Sequence, residues 1–256
     1  MNVVFFTIIV PTFNSEKDIR TCLMSILHQK HPHCEIIVQD GGSTDRTGEI
    51  VEEIKQLYPS RSIILNREKD TGIYNAMNRA AEKAAGEWLY FLGSDDSLYN
   101  DEVLSTIAGI IRKHKGLDMV YGNVLRIHSK EVHMGKFNFE KLLANNICHQ
   151  SIFVSKRAFL QCGPYNEAFL ACADWSFNIK LFKNKAKVKY VDMIVANYNE
   201  EGFSNSYWDT PFFNLLDEER KAYYKKWPNY LLSLGRRAIN KAGRVAASAL
   251  MKKKTA

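Results

Sequence analysis

The chain is poor in the residues that staple or clip small folds together. Its five cysteines, Cys22, Cys34, Cys148, Cys162 and Cys172, are odd in number and form no Cys-x-x-Cys pair. That pattern excludes a disulfide framework and a zinc site, and it is the pattern of free thiols in a reducing cytosol. Long hydrophobic runs are missing too. The opening MNVVFFTIIVPTFN has no basic flank and no small-residue cleavage site, and Pro11 stops it far short of the roughly 20 apolar residues of a membrane span. It reads as a first strand. No low-complexity tract or fixed-period repeat occurs, which excludes solenoids and bulk disorder. Acidic residues are absent from one region: 220–256 holds eleven Lys/Arg and no Asp or Glu. Residues 1–219 hold 24 basic and 28 acidic residues, a balance of −4, so the net charge of +7 belongs to the tail. Nucleic acid is therefore a poor partner for the main body.

What is present reads as one catalytic-sized domain, 1–219, followed by a basic tail, 220–256. The short apolar runs 6–10, 35–40, 62–66 and 87–93 are mostly separated by helix-period segments, which implies an α/β unit with a largely parallel sheet. The first helix starts in NSEKDIRTCLMSIL, where Ser15 and Asp18 have capping-box spacing and Ile19, Cys22, Leu23, Ile26 and Leu27 share a face. The second carries Ile50, Val51, Ile54, Leu57 and Tyr58 on a stripe, and a third spans about 101–115. DMVYGNV, HQSIFV and VKYVDMIVANYN read as later strands, and ADWSFNIKLFKN as a helix opening on a carboxylate.

Open α/β sheets bind ligands beyond the carboxyl ends of their strands. Here three such ends run into polar turns, PTFNS, QDGGSTD and GSDDS. Asp commonly forms turns and caps helices, and Asp45 stands where the second helix should start. Asp95 and Asp96 differ, because adjacent like charges at a buried strand end repel and each titrates less readily. Such a pair calls for a cation. Carboxylates without His or Cys nearby are hard oxygen ligands for Mg²⁺ or Mn²⁺, ions usually shared with a substrate's phosphates, which points to a nucleotide diphosphate.

The stretches IIVPTFNSEKDIRTCLMSIL, EIIVQDGGSTDRT, DTGIYNAMNRAAEKAAGEWLYFLGSDD and ADWSFNIKLF, in that order, resemble the successive motifs of the family 2 inverting glycosyltransferases. GIYNAMN, HQSIF and ADWSFNIKLF are similar more narrowly to bacterial enzymes of colanic-acid, capsule and O-antigen assembly. The resemblance covers about residues 5–200. It implies the GT-A fold, a Rossmann-like nucleotide-binding mixed sheet flanked by helices. It implies that Pro11, Thr12 and Phe13 line the nucleoside pocket, that Asp40 accepts a hydrogen bond from the base, that Asp95 meets ribose or phosphates, and that Asp96 holds the metal. Ser94 stands where such motifs often have their first Asp, and no His follows His149, so water or substrate oxygens would complete a metal shell.

Inverting transfer needs a group to take the acceptor hydroxyl's proton. Asp174 matches the family's catalytic base, although a carboxylate at a helix start can also be an N-cap. His149 and Gln150 before a strand, and Trp175 beside the base, are expected to contact acceptor or leaving group, with a structural His as the alternative. The aromatics Trp175, Phe177, Phe203, Tyr207, Trp208, Phe212 and Phe213 suit sugar rings, though most of any such set is core. The expected activity is metal-assisted transfer from a UDP-sugar to a growing, lipid-linked bacterial surface glycan.

Two rivals stand beside it. A sugar-1-phosphate nucleotidyltransferase would place a Gly-rich basic loop after the first strand, and PTFNSE has neither glycine nor base. An inactive sugar-nucleotide-binding module would keep the pocket and lose the base. In the tail, Leu231, Leu232, Leu234, Ile239, Val245, Leu250 and Met251 interleave with Arg236, Arg237, Lys241, Arg244 and Lys252–Lys254. This pattern fits a basic amphipathic helix lying on an anionic membrane at the inner face of the plasma membrane, or else a solvated terminal helix.

Overall fold

The structure, a computed structural model of the chain, describes residues 5–133, 135–200 and 208–225. Two compact units divide it, Met1–Phe212 and Phe213–Ala256, where the sequence suggests a boundary at 219/220. Of the expected amphipathic tail, everything from residue 226 on lies outside the described residues.

In the first unit the apolar runs become β1 (Phe6–Thr12), β2 (Cys34–Asp40), β3 (Ser62–Arg67) and β4 (Trp88–Phe91), all mutually parallel in the order β3-β2-β1-β4. Every residue of β1 is buried, as expected of a central parallel strand covered on both faces. Pro11 is tolerated there because pairing of β1 with β4 ends at Ile9–Phe91, so no ladder partner awaits its missing N–H. The helices α1 (Ile19–Leu27), α2 (Thr47–Leu57) and α3 (Ile73–Lys83) are the crossovers. The apolar face of α1, Ile19 to Leu27, is buried as the spacing predicts. Burying each such Ile or Leu stabilises the fold by about 1.5–3 kcal/mol before entropy is subtracted.

Two local expectations fail. No side-chain bond caps α1, because Ser15 Oγ pairs with Ser94 Oγ (2.8 Å) and Ser15 N with Thr47 Oγ1 (2.8 Å). Leu57 is 68% exposed: α2 ends on it, and Tyr58, outside the helix, packs on the core instead.

The sheet continues through β8 (Ile152–Ser155), β6 (Met119–Arg126), β9 (Val188–Tyr198) and β5 (Ser97–Leu98), with β7 (Val132–His133) beside β6. The largely parallel expectation thus describes only one half, since β8 is antiparallel to both β4 and β6. The remaining helices are α4 (Val103–Lys113), α5 (Phe139–Ala144), α6 (Lys156–Cys162), α7 (Ala173–Lys183) and α8 (Thr210–Tyr224).

Strand direction positions the site. β2 and β3 lie on one side of β1 and β4 on the other, so the strand order reverses between β1 and β4, where such folds open a ligand crevice. β8 runs the opposite way, so its start, preceded by a 3₁₀ turn at His149–Ser151, reaches the same edge as the ends of β1, β2 and β4. β9 runs parallel to β6 and delivers Asn199 there as well.

Candidate active site

The turn after β4 brings the two carboxylates together. Asp96 N donates to Gly93 O (3.0 Å), and a Cβ at Gly93 would lie 2.6 Å from Asp96 Oδ2 and 2.9 Å from Asp95 Oδ1. A side chain there would push both carboxylates off the strand end. Ser94, buried against Ser15, ties this turn to the loop after β1 and does not join the acids.

Asp96 is buried, and its oxygens accept from Asn199 N (2.8 Å) and Gln150 Nε2 (2.7 Å). Burial, then the charge of Asp95, push its carboxyl up to about 7 against those two donors. Asp95, half-buried, is raised as well, chiefly by burial. The donor set is hard oxygen of the kind that suits Mg²⁺ or Mn²⁺. Among the described residues no cluster of three or more His, Cys, Asp or Glu is placed to hold a metal, so phosphate or water oxygens would complete a shell.

Gln150 stands between Asp96 and Cys148. Its Oε1 accepts from Cys148 Sγ (2.7 Å) while Nε2 serves Asp96, so both amide ends are engaged inside the protein. Asp40 is engaged likewise. Its side chain is fully buried, with Oδ1 accepting from Gly42 N, Ser43 N and Ser43 Oγ, and Oδ2 from Arg67 Nε (3.1 Å). The carboxylate organises the 41–43 loop and Arg67, a residue the sequence reading missed, and presents no surface of its own. Thr12 lies opposite it in register with a buried, unbonded Oγ1, Pro11 is buried beside it, and Phe13 is 62% exposed at the rim. Asp45 does what turn chemistry suggests, accepting from Thr47 N and Oγ1 at the approach to α2.

Asp174 lies in the first turn of α7, not at its cap, which is Cys172. It is buried and held by three elements. Tyr74 Oη of α3 donates to Oδ1 (2.9 Å), Asn146 Nδ2 donates to Oδ2 (2.7 Å), and His149 Nδ1 lies 3.6 Å from Oδ2. His149 Nε2 is buried without a hydrogen bond, and the ring, when protonated, would work against the rise at both Asp95 and Asp96. His149 thus lies beside Asp174 and interacts electrostatically with the carboxylate pair. Trp175 commits its indole N–H to Leu142 O (2.7 Å) and packs on Phe212 at 5.0 Å. Of the remaining aromatics, Phe177 and Phe212 are core, Phe213 is half-buried, Trp208 is exposed, and Phe203 and Tyr207 fall outside the described residues. Of the two donors to Asp174, Tyr74 lies within the GIYNAMN stretch, whereas no motif marks Asn146.

Comparison with known proteins bears on the family and the fold. The sequence model of Glycosyl transferase family 2 matches residues 7–184. A PGL/p-HBAD biosynthesis glycosyltransferase of Mycobacterium tuberculosis is 39% identical over 236 residues, covering 88% of this chain and 92% of the relative. S. aureus TarS 1–349, solved in complex with UDP-GlcNAc, superposes with a TM-score of 0.72 at 23% identity over 85% of this chain and 66% of that one. The mannosyltransferase PcManGT of Pyrobaculum calidifontis, solved with GDP-Man and Mn²⁺, gives 0.64 at 18% identity over 96% of this chain and 79% of its own. Matched through most of its first unit by the family's sequence model, and folded as GT-A enzymes are, the chain belongs to glycosyl transferase family 2 and is a glycosyltransferase.

Proposed function

We propose that the enzyme transfers a sugar, with inversion, from a nucleotide-diphosphate donor, a UDP-sugar in the first instance, to a hydroxyl of a lipid-linked surface glycan. The observation that carries this is the placement of Asp174 in a buried cradle beside His149, on the sheet edge that also bears Asp95 and Asp96. Pro11, Thr12 and Phe13, with the loop and Arg67 that Asp40 fixes, line the nucleoside pocket. Asp95 and Asp96 face the diphosphate and would hold Mg²⁺ or Mn²⁺, which when bound neutralises charge developing on the leaving diphosphate. Asp174 takes the acceptor hydroxyl's proton as the acceptor oxygen bonds to the anomeric carbon. The bond to the diphosphate oxygen breaks on the opposite face, its electron pair leaving with the nucleotide. His149 lies where it can contact either partner.

The neighbours support the donor class, since TarS and PcManGT were solved with nucleotide sugars, and the mycobacterial relative is named for PGL/p-HBAD biosynthesis. Among the described residues no helix is long and apolar enough to cross a membrane. We place the enzyme in the cytoplasm, peripheral at the inner face of the plasma membrane through its acid-free tail. A thermal-shift screen of nucleotide sugars with and without Mn²⁺, followed by NMR of the product's anomeric proton, tests the reading. UDP-sugars should stabilise the protein most and the product should be inverted; a product retaining the donor's configuration contradicts it.

A further inference from the structure

We infer that Tyr74 is a positioning residue for the transfer: with Asn146 it aims the Asp174 carboxylate and sets how readily that carboxylate takes a proton. This rests on Asp174 being the base. The GIYNAMN stretch, which no step of the proposed mechanism uses, is built to place Tyr74. Gly72 adopts φ +141, its N–H donating to Asp70 Oδ1 (3.0 Å), and α3 begins immediately after it. Asn78 then grips the segment before α7 on both backbone sides, Nδ2 to Tyr165 O (2.9 Å) and Oδ1 from Tyr165 N (2.9 Å). Asn75 and Asn78 each donate to Glu167 at 3.0 Å. The Tyr74 ring lies 5.4 Å from that of Tyr165, so ring and hydroxyl are both fixed. On the other oxygen, Asn146 is oriented by Asn178 Nδ2 donating to its Oδ1 (3.0 Å). Each oxygen of Asp174 thus has one aimed neutral donor and keeps a lone pair for the acceptor's proton.

The chemistry gives the sign. Burial and Asp174 itself push the Tyr74 phenol far up, so it stays a donor and never competes as a base. Donors to a carboxylate favour its charged form, and removing one makes it take a proton at higher pH. The other titratable groups around Asp174 are His149, Tyr165, Cys148 and Cys172; the phenol and both thiols are pushed up, chiefly by burial and further by Asp174, so they remain neutral.

The experiment is the pH profile of kcat at saturating donor and Mn²⁺ for the full-length wild type, Tyr74→Phe and Asp174→Asn. Saturation makes the profile report groups of the enzyme–substrate complex. Tyr74→Phe should lower kcat about tenfold near the acid limb, move that limb up by about one pH unit, and leave the donor KM within about twofold. A merely structural loss would reduce active protein without moving the limb. Should Tyr74→Phe fail to fold, Asn146→Ala removes the donor from the other oxygen and must shift the limb in the same direction. An unmoved limb with an inactive Asp174→Asn overturns the role of Tyr74 and leaves the base in place; an active Asp174→Asn overturns both.

Discussion

Asp96 and Asp174 are both buried, yet the protein treats them differently. Asp174 meets two aimed neutral donors. Asp96 has donors as well, but Asp95 stands next to it and burial outweighs the help, which raises its carboxyl to about 7. A folded-state value above the unfolded 3.8 means the folded protein binds the proton more tightly, so stability is fully present below about pH 4 and is lost as pH rises to about 7. Asp95 and Asp70, also raised, act with the same sign. Asp96→Asn should therefore stabilise the ligand-free protein at pH 8, on the order of a few kcal/mol, and flatten its stability between pH 5 and 8. Urea unfolding at the two pH values checks this. Equal stability of variant and wild type at pH 8 would show that Asp96 carries no such strain.

Among the elements, the regular ones were legible and the joints were not. Short apolar runs located β1, β2, β3 and β4, and helical periodicity located α1, α2 and α4, whose buried faces leave a period in the sequence. The start of α1 was misjudged because Ser15, although at capping-box spacing, has partners at Thr47 and Ser94, whose proximity only the folded sheet creates. β5, two residues long, was invisible inside GSDDSL. The tail, whose residues from 226 on lie outside the described ones, bears on the proposed membrane role through its charge pattern alone. Each Lys or Arg near an anionic surface contributes about 1 kcal/mol, and Gly235 and Gly243 each weaken a helix by about 1 kcal/mol, so helix formation on lipid is the expected course. A chain ending at Trp227 should lose sedimentation with anionic vesicles and keep UDP binding, and salt should detach the intact chain. Equal sedimentation with and without the tail would sink the membrane role.

At the scale of the whole molecule, topology turns a linear order of motifs into a site. The strand ends at 12, 40 and 91 share an edge because β1, β2 and β4 are parallel neighbours, and that much could be read from the sequence. The half of the site that carries Asp174 could be placed only through resemblance. Its partners come from residues 100 and 28 positions away, Tyr74 and Asn146, both neutral and unremarkable by composition. The antiparallel β8 delivers His149 and Gln150 to the same edge, which no periodicity announces. The central claim is that this edge performs base-assisted transfer, with Asp174 as the base. The most direct measurement is the transfer rate of Asp174→Asn at saturating donor, taken with its UDP affinity. The account predicts UDP bound as by the wild type and transfer slowed by about 10²–10⁴-fold; transfer at the wild-type rate would contradict it.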